Sequence, residues 1–119
     1  MLHKQALGRF GEDLAVSYLR KHGYRIIERN FKVRYGEIDI ICEKDDILVF
    51  VEVKTRIGHA YGLPEEAVTP RKLREIIKTA EYFTVLHHEL SSSLRIDVIG
   101  IELTDDGQIR TFNHLQSVT

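Results

Sequence analysis

The stretch Ile47-Leu48-Val49-Phe50-Val51-Glu52-Val53-Lys54-Thr55-Arg56 decides the fold: five apolar residues run unbroken to Val51, and charge enters only at its far end. Branched aliphatic and aromatic side chains fill a pleated, half-buried surface well, so the stretch reads as a strand. Side chains alternate across a strand, which puts Leu48, Phe50, Glu52 and Lys54 on one face. Two charged groups therefore project from an otherwise apolar face.

Working outward, residues 37–43 (EIDIICE) form a second apolar run, separated from the first by Lys44-Asp45-Asp46, a hairpin signal. With Asp45-Asp46 as a two-residue loop, the register pairs 43 with 48, 41 with 50, 39 with 52 and 37 with 54. Asp39 is then expected opposite Glu52, with Cβ atoms about 5 Å apart, where like charges destabilise unless something offsets them. A hard divalent cation, Mg²⁺ or Mn²⁺, would offset them, since it takes oxygen ligands from one or two carboxylates, with water and phosphate oxygens completing the shell. Such an ion would neutralise charge on a reacting phosphorus and acidify a bound water, while Lys54 could hold that water. A lone E-x-K is a common tripeptide and more often a strand-end ion pair. The same-face Asp39 inside two apolar runs is what turns the reading toward a metal site.

The flanking elements follow from periodicity. Leu7, Phe10, Leu14 and Tyr18, with Ala15 and Leu19, recur at helical spacing over residues 4–22, and His22-Gly23 stops that helix. Residues 24–31 read as a strand ending before the Tyr35-Gly36 turn. Residues 55–68, with Gly58, His59, Tyr61, Gly62 and Pro64, show no period and read as a loop. Thr69 caps a second helix with Pro70 at its first position; Leu73, Ile76, Ile77, Ala80 and Phe83 give its buried stripe to about His88. Residues 91–93 break it, 94–103 form a strand, Asp105-Asp106-Gly107 a turn, and 109–115 a closing strand. The order is helix, three strands, helix, two strands: one α/β domain over residues 1–119, a central mixed sheet covered by helices.

Composition narrows the class. A chain of 119 residues with 43% hydrophobic and 29% charged content is sized for one globular domain. Cys42 is the single cysteine and lies in an apolar run, so it reads as a buried thiol, with no disulfide and no zinc spacing. The first thirty residues carry no long apolar stretch, which predicts a cytoplasmic protein without a membrane span. Net charge is −1, yet Arg20, Lys21, Arg25, Arg29, Lys32 and Arg34 stand against Glu28 alone between residues 20 and 34, and Arg71, Lys72, Arg74 and Lys78 follow later. A basic surface beside an acidic pocket suits a phosphodiester substrate; a solvated charged face is the plainer alternative.

Asp39, Glu52-x-Lys54 after a hairpin, and a preceding helix with Glu12 resemble the PD-(D/E)xK restriction-endonuclease-like superfamily. More narrowly, residues 36–39 (GEID), 49–56 (VFVEVKTR) and 95–98 (RIDV) resemble the YraN-like family of bacterial proteins, a likeness spanning roughly residues 6–103. The resemblance implies an αβββαβ(β) core akin to archaeal Holliday junction resolvases, with Asp39 and Glu52 as metal ligands and Lys54 as the catalytic lysine. Glu12 would complete the metal or water shell, and Lys72 matches a recurrent lysine suited to phosphate. The superfamily's proline before the Asp is Ile38 here. Arg34, Arg56 and Lys72 are the candidates for nucleic-acid contact, His59 and Tyr61 lesser ones; Arg95 and Asp97 share a strand face as a structural ion pair. The expected activity is Mg²⁺- or Mn²⁺-dependent cleavage of DNA, branched DNA included, by a homodimer. The alternatives from other classes are a non-catalytic nucleic-acid-binding module and an interaction subunit that keeps the fold.

Overall fold

A computed structural model describes residues 3–60 and 62–119. The chain runs α1 (Lys4–Lys21), β1 (Arg25–Val33), β2 (Gly36–Lys44), β3 (Ile47–Ile57), a 3₁₀ turn (Pro64–Ala67), α2 (Pro70–Leu86), β4 (Leu94–Leu103) and β5 (Ile109–Leu115). The five strands make one sheet in the order β1-β2-β3-β4-β5. All neighbours are antiparallel except β3 and β4, which run parallel because α2 forms the crossover between them. This is the α/β arrangement expected from the sequence, a mixed sheet with a helix on each face.

Residue choice explains each element. Asp45 and Asp46 both hold left-handed backbone, φ 52° and 62°, which closes the β2–β3 hairpin in two residues and pairs Lys44 with Ile47. Thr69 accepts the Lys72 N–H at 3.1 Å and Pro70 takes the first helical position, so α2 starts where its cap dictates. Gly23, at φ 86°, ends α1.

The alternation along β3 divides the core. Val49 and Val51 face α1 with Ile40, Cys42, Ile99, Ile101 and Ala15. Leu48 and Phe50 face α2 with Ile38, Ile41, Ile76 and Phe83. Cys42 is fully buried, and burial pushes its thiol up to about 12, so it is an inert core group.

Two expectations are corrected. The buried face of α1 is centred on Gly11, Glu12, Ala15, Val16 and Leu19, while Phe10 is 37% exposed and Leu7, Leu14 and Tyr18 lie on the flanks. Small residues explain the rotation, because Gly11 lets the helix settle onto Thr55 of β3, where a Cβ would overlap the Thr55 hydroxyl. In addition, β3 continues through Ile57, paired with Leu103, and residues Pro64–Ala67 form a 3₁₀ turn where an irregular loop was expected. The sheet partner supplied by β4 overrides the weak local pattern there. No helix among the described residues is long and apolar enough to cross a membrane.

The close approach at Gly11 makes a direct test. Gly11→Ala is expected to destabilise by about 1–3 kcal/mol, as overpacking does, in urea denaturation. Thr55→Ala in the same chain should recover part of that loss, whereas a Gly11→Ala protein as stable as wild type would contradict the packing.

Candidate functional site

The β2–β3 ladder follows the expected register through Glu43–Leu48 and Ile41–Phe50 as far as Ile40–Val51, and there it stops. The expected pairs 39–52 and 37–54 do not form. Instead the Asp39 side chain accepts the Val53 N–H at 2.8 Å, standing in for a backbone partner on β2. That bond satisfies Val53, lets the two strands part, and turns the Asp39 carboxyl toward Glu52.

The resulting site sits on the α2 side of the sheet. Glu52 is 4% exposed, and its Oε1 is buried with no hydrogen-bond partner. Its Oε2 lies 3.8 Å from Lys54 Nζ and 3.9 Å from Lys72 Nζ, close enough for ionic attraction but too long for hydrogen bonds. Burial raises the Glu52 carboxyl to about 8, the Asp39 charge adds to the rise, and Lys72 and Lys54 only partly oppose it. Burial likewise raises Asp39, and the Val53 N–H and a hydrogen bond from Glu52 offset only part of that rise. The pair therefore shares a proton between Glu52 and Asp39 at neutral pH. A buried Glu52 oxygen without a donor, beside a second carboxyl, suits a hard divalent cation, which would take an oxygen from each group and displace the proton. Among the described residues, no group of three or more His, Cys, Asp or Glu side chains is placed to hold a metal, so water and substrate oxygens would have to fill the remaining positions.

Glu12 is the group kept apart. It is buried on α1, and its Oε1 accepts from Arg29 Nε at 3.0 Å and Asn30 Nδ2 at 3.1 Å. Arg29 also holds Asp13 at 2.6 Å. Burial raises the Glu12 carboxyl, Arg29 opposes that rise, and the Asp39 charge reaches it from β2. Glu12 thus joins Asp39 electrostatically but not as a third member of the carboxylate cluster.

Asn30 and Arg29 are the residues the sequence reading missed. Asn30 stands at φ 55° inside β1, where its neighbours Arg29 and Phe31 pair with Ile40 and Ile38, so it lies beside Asp39. A left-handed residue within a strand is uncommon, and Asn tolerates it best after Gly. The signal available in the sequence was an Asn, a poor strand former, interrupting the strand pattern four residues after Ile26.

The remaining candidates scatter. Arg34 is exposed in the β1–β2 turn, and Lys72 stands in the first turn of α2 against Glu52. Arg56 lies two residues beyond Lys54 and lines, with Lys4 and Lys54, a cavity of about 720 Å³. His59 bonds the buried Glu102 at 2.6 Å, and Tyr61 lies outside the described residues. Asp97 sits on the α1 side, bound by both Arg95 nitrogens at 2.9 Å, by His114 at 2.7 Å and by the Ser117 N–H at 3.1 Å. Burial works against the charged Asp97, but these donors overcome it and its carboxyl lies below the usual range. That network is fully satisfied and structural, as the shared face suggested.

The model of the uncharacterised protein family UPF0102 matches residues 11–101. The chain belongs to this family. A UPF0102 protein of Syntrophomonas wolfei is 50% identical over 109 residues, covering 92% of this chain and 93% of the relative. One from Geobacter metallireducens is 46% identical over 114 residues, covering 96% and 92%, and one from Clostridium perfringens 42% over 114 residues, covering 96% and 93%. The YraN-like resemblance is thereby confirmed across most of this UPF0102 chain.

The carboxylate pair makes stability depend on pH with a definite sign. The folded protein keeps the Glu52 proton up to about pH 8, whereas the unfolded chain releases it near 4.5. Between those values the folded state binds the extra proton, so this pair's contribution to stability falls as pH rises through the window. Glu52→Gln is expected to flatten that slope and to be more stable than wild type at pH 8 by about 1–3 kcal/mol. Parallel denaturation profiles for the two proteins from pH 5 to 8.5 would contradict it.

Proposed function

We propose that this protein is a Mg²⁺- or Mn²⁺-dependent phosphodiesterase that hydrolyses DNA, branched DNA included. The observation that carries the reading is the buried, donorless Glu52 Oε1 beside Asp39, with two lysine amines within 4 Å of the other Glu52 oxygen. Such an arrangement is costly to keep without a ligand and resembles what two-carboxylate, one-lysine phosphodiester chemistry needs.

In this reading Asp39 and Glu52 hold the ion. When bound, it supplies charge neutralisation at phosphorus and a more acidic water. The Val53 N–H fixes the Asp39 carboxyl, so one ligand is oriented before the ion arrives. Lys54, 38% exposed at the side chain, can reach toward solvent to orient the attacking water and to stabilise charge developing on the phosphate. Lys72 serves as a point charge for a phosphate oxygen next to Glu52, and Arg34 and Arg56 attract the strand on either side. Glu12 stays one layer behind, its charge felt at Asp39. A chain of this size presents limited surface to a duplex, so two copies acting together, in the cytoplasm, belong to the same reading.

An Mn²⁺-supported cleavage assay on single-stranded, duplex, flap and four-way DNA tests it. Asp39→Ala should lose Mn²⁺ binding and cleavage together. Lys54→Ala should keep the ion and lose at least about 100-fold in rate. Cleavage that survives both substitutions in folded protein would overturn the assignment.

A further inference from the structure

Beside the carboxylate site, the turn between β1 and β2 and the outer face of α2 leave aromatic surface to water. Tyr35 is 46% exposed, Tyr82 42% and Leu86 49%. Together with Phe31, Lys32 and Arg34 they line a concavity of about 480 Å³. Phe31 forms its floor, seated edge-on against Phe83 at 5.1 Å between ring centroids. Lys78 Nζ stands 4.9 Å from the Tyr35 ring centroid, so a cation already rests against one aromatic group.

This concavity has a neighbour on the side of the site. Lys32 and Val33 also line an adjoining hollow of about 390 Å³, whose other walls are Gly36, Glu37 and Lys72. Lys72 in turn faces Glu52. The two tyrosines and the carboxylates are thus linked through shared neighbours: Lys32 and Val33 border both hollows, and Lys72 borders the second and stands beside Glu52. The walls of the tyrosine concavity include Lys32 and Arg34 and no acid, and in the adjoining hollow Glu37, 3.8 Å from Lys32, is the acid present.

We propose that this ledge, Tyr35 and Tyr82 rimmed by Lys32, Arg34 and Lys78, stacks and holds unpaired nucleotides of the DNA whose phosphodiester the Asp39–Glu52 site cuts. The inference rests on the proposed phosphodiesterase reading for the location of the cut, and adds that the substrate carries a single-stranded segment. Exposed rings with interleaved cations are what single-stranded nucleic acid requires, since each base offers a π-face and each linkage a negative charge. A duplex offers the charge but not the π-face, because its bases are stacked on one another. A second copy of this chain is a poorer occupant, for a two-fold contact would set Lys32, Arg34 and Lys78 against the same cations.

The test needs neither metal nor cleavage. Wild-type protein in EDTA is titrated by fluorescence anisotropy with a blunt duplex and with the same duplex bearing a single-stranded extension that contains 2-aminopurine. The extended DNA should bind about tenfold more tightly, with quenching of 2-aminopurine as it stacks. Tyr35→Ala combined with Tyr82→Ala should abolish both the preference and the quenching, with thermal melting confirming the fold. Lys78→Ala with Arg34→Ala should instead lower the salt dependence of binding. Equal binding of blunt and extended DNA, or quenching that survives loss of both tyrosines, would overturn the ledge. So would sedimentation showing a wild-type dimer that the tyrosine changes dissociate. Because no divalent ion is present, a ledge that fails here leaves the cleavage chemistry open, and inactive carboxylates leave the ledge result intact.

Discussion

A single hydrogen bond, from the Val53 N–H to the Asp39 carboxylate, organises the centre of this protein. It replaces a rung of the β2–β3 ladder with a side chain, so the strands can separate beyond Ile40–Val51 without leaving the amide unpaired. The same bond fixes Asp39 next to Glu52 and offsets part of the rise that burial imposes on Asp39, so that the two carboxyls share a proton. Geometry and charge at the site thus follow from one contact.

The surrounding fold holds that contact in place. Tight packing on both sheet faces, with α1 on Val49 and Val51 and α2 on Leu48 and Phe50, holds β3 in place up to Glu52. Beyond that point the α2 face turns polar, and a buried carboxyl with one donorless oxygen is retained where an apolar residue would be more stable. Functional sites commonly carry such a penalty. Structural charge elsewhere is treated differently: Asp97 is just as buried, yet every oxygen is matched by Arg95, His114 or Ser117. The contrast within one sheet separates a candidate site from a structural brace.

Much of this was legible in the sequence. The strand composition of 47–54, the Asp45-Asp46 turn and the Thr69-Pro70 start are local signals, and local chemistry decided them. Parity placed Glu52 and Lys54 on one face, and hairpin counting brought Asp39 to the right neighbourhood. What counting could not supply was the place where the ladder ends, because that depends on a side chain competing with backbone. The rotation of α1 away from Phe10 depended on a long-range fit between Gly11 and Thr55, which helical periodicity alone does not encode. Asn30 was passed over for the same reason: its left-handed backbone and its bond to Glu12 have meaning only once α1 lies across β1.

The most direct measurement is carbon-detected NMR of side-chain carboxyls in metal-free protein labelled at Asp and Glu. One glutamate should titrate near pH 8, and Asp39→Asn should bring its midpoint down by removing the neighbouring charge. Mg²⁺ added at pH 7 should drive the same group to its ionised form. Glutamate carboxyls that all titrate between about 4 and 5, as unperturbed ones do, and that ignore both Asp39→Asn and Mg²⁺, would contradict a shared, cation-seeking carboxylate pair.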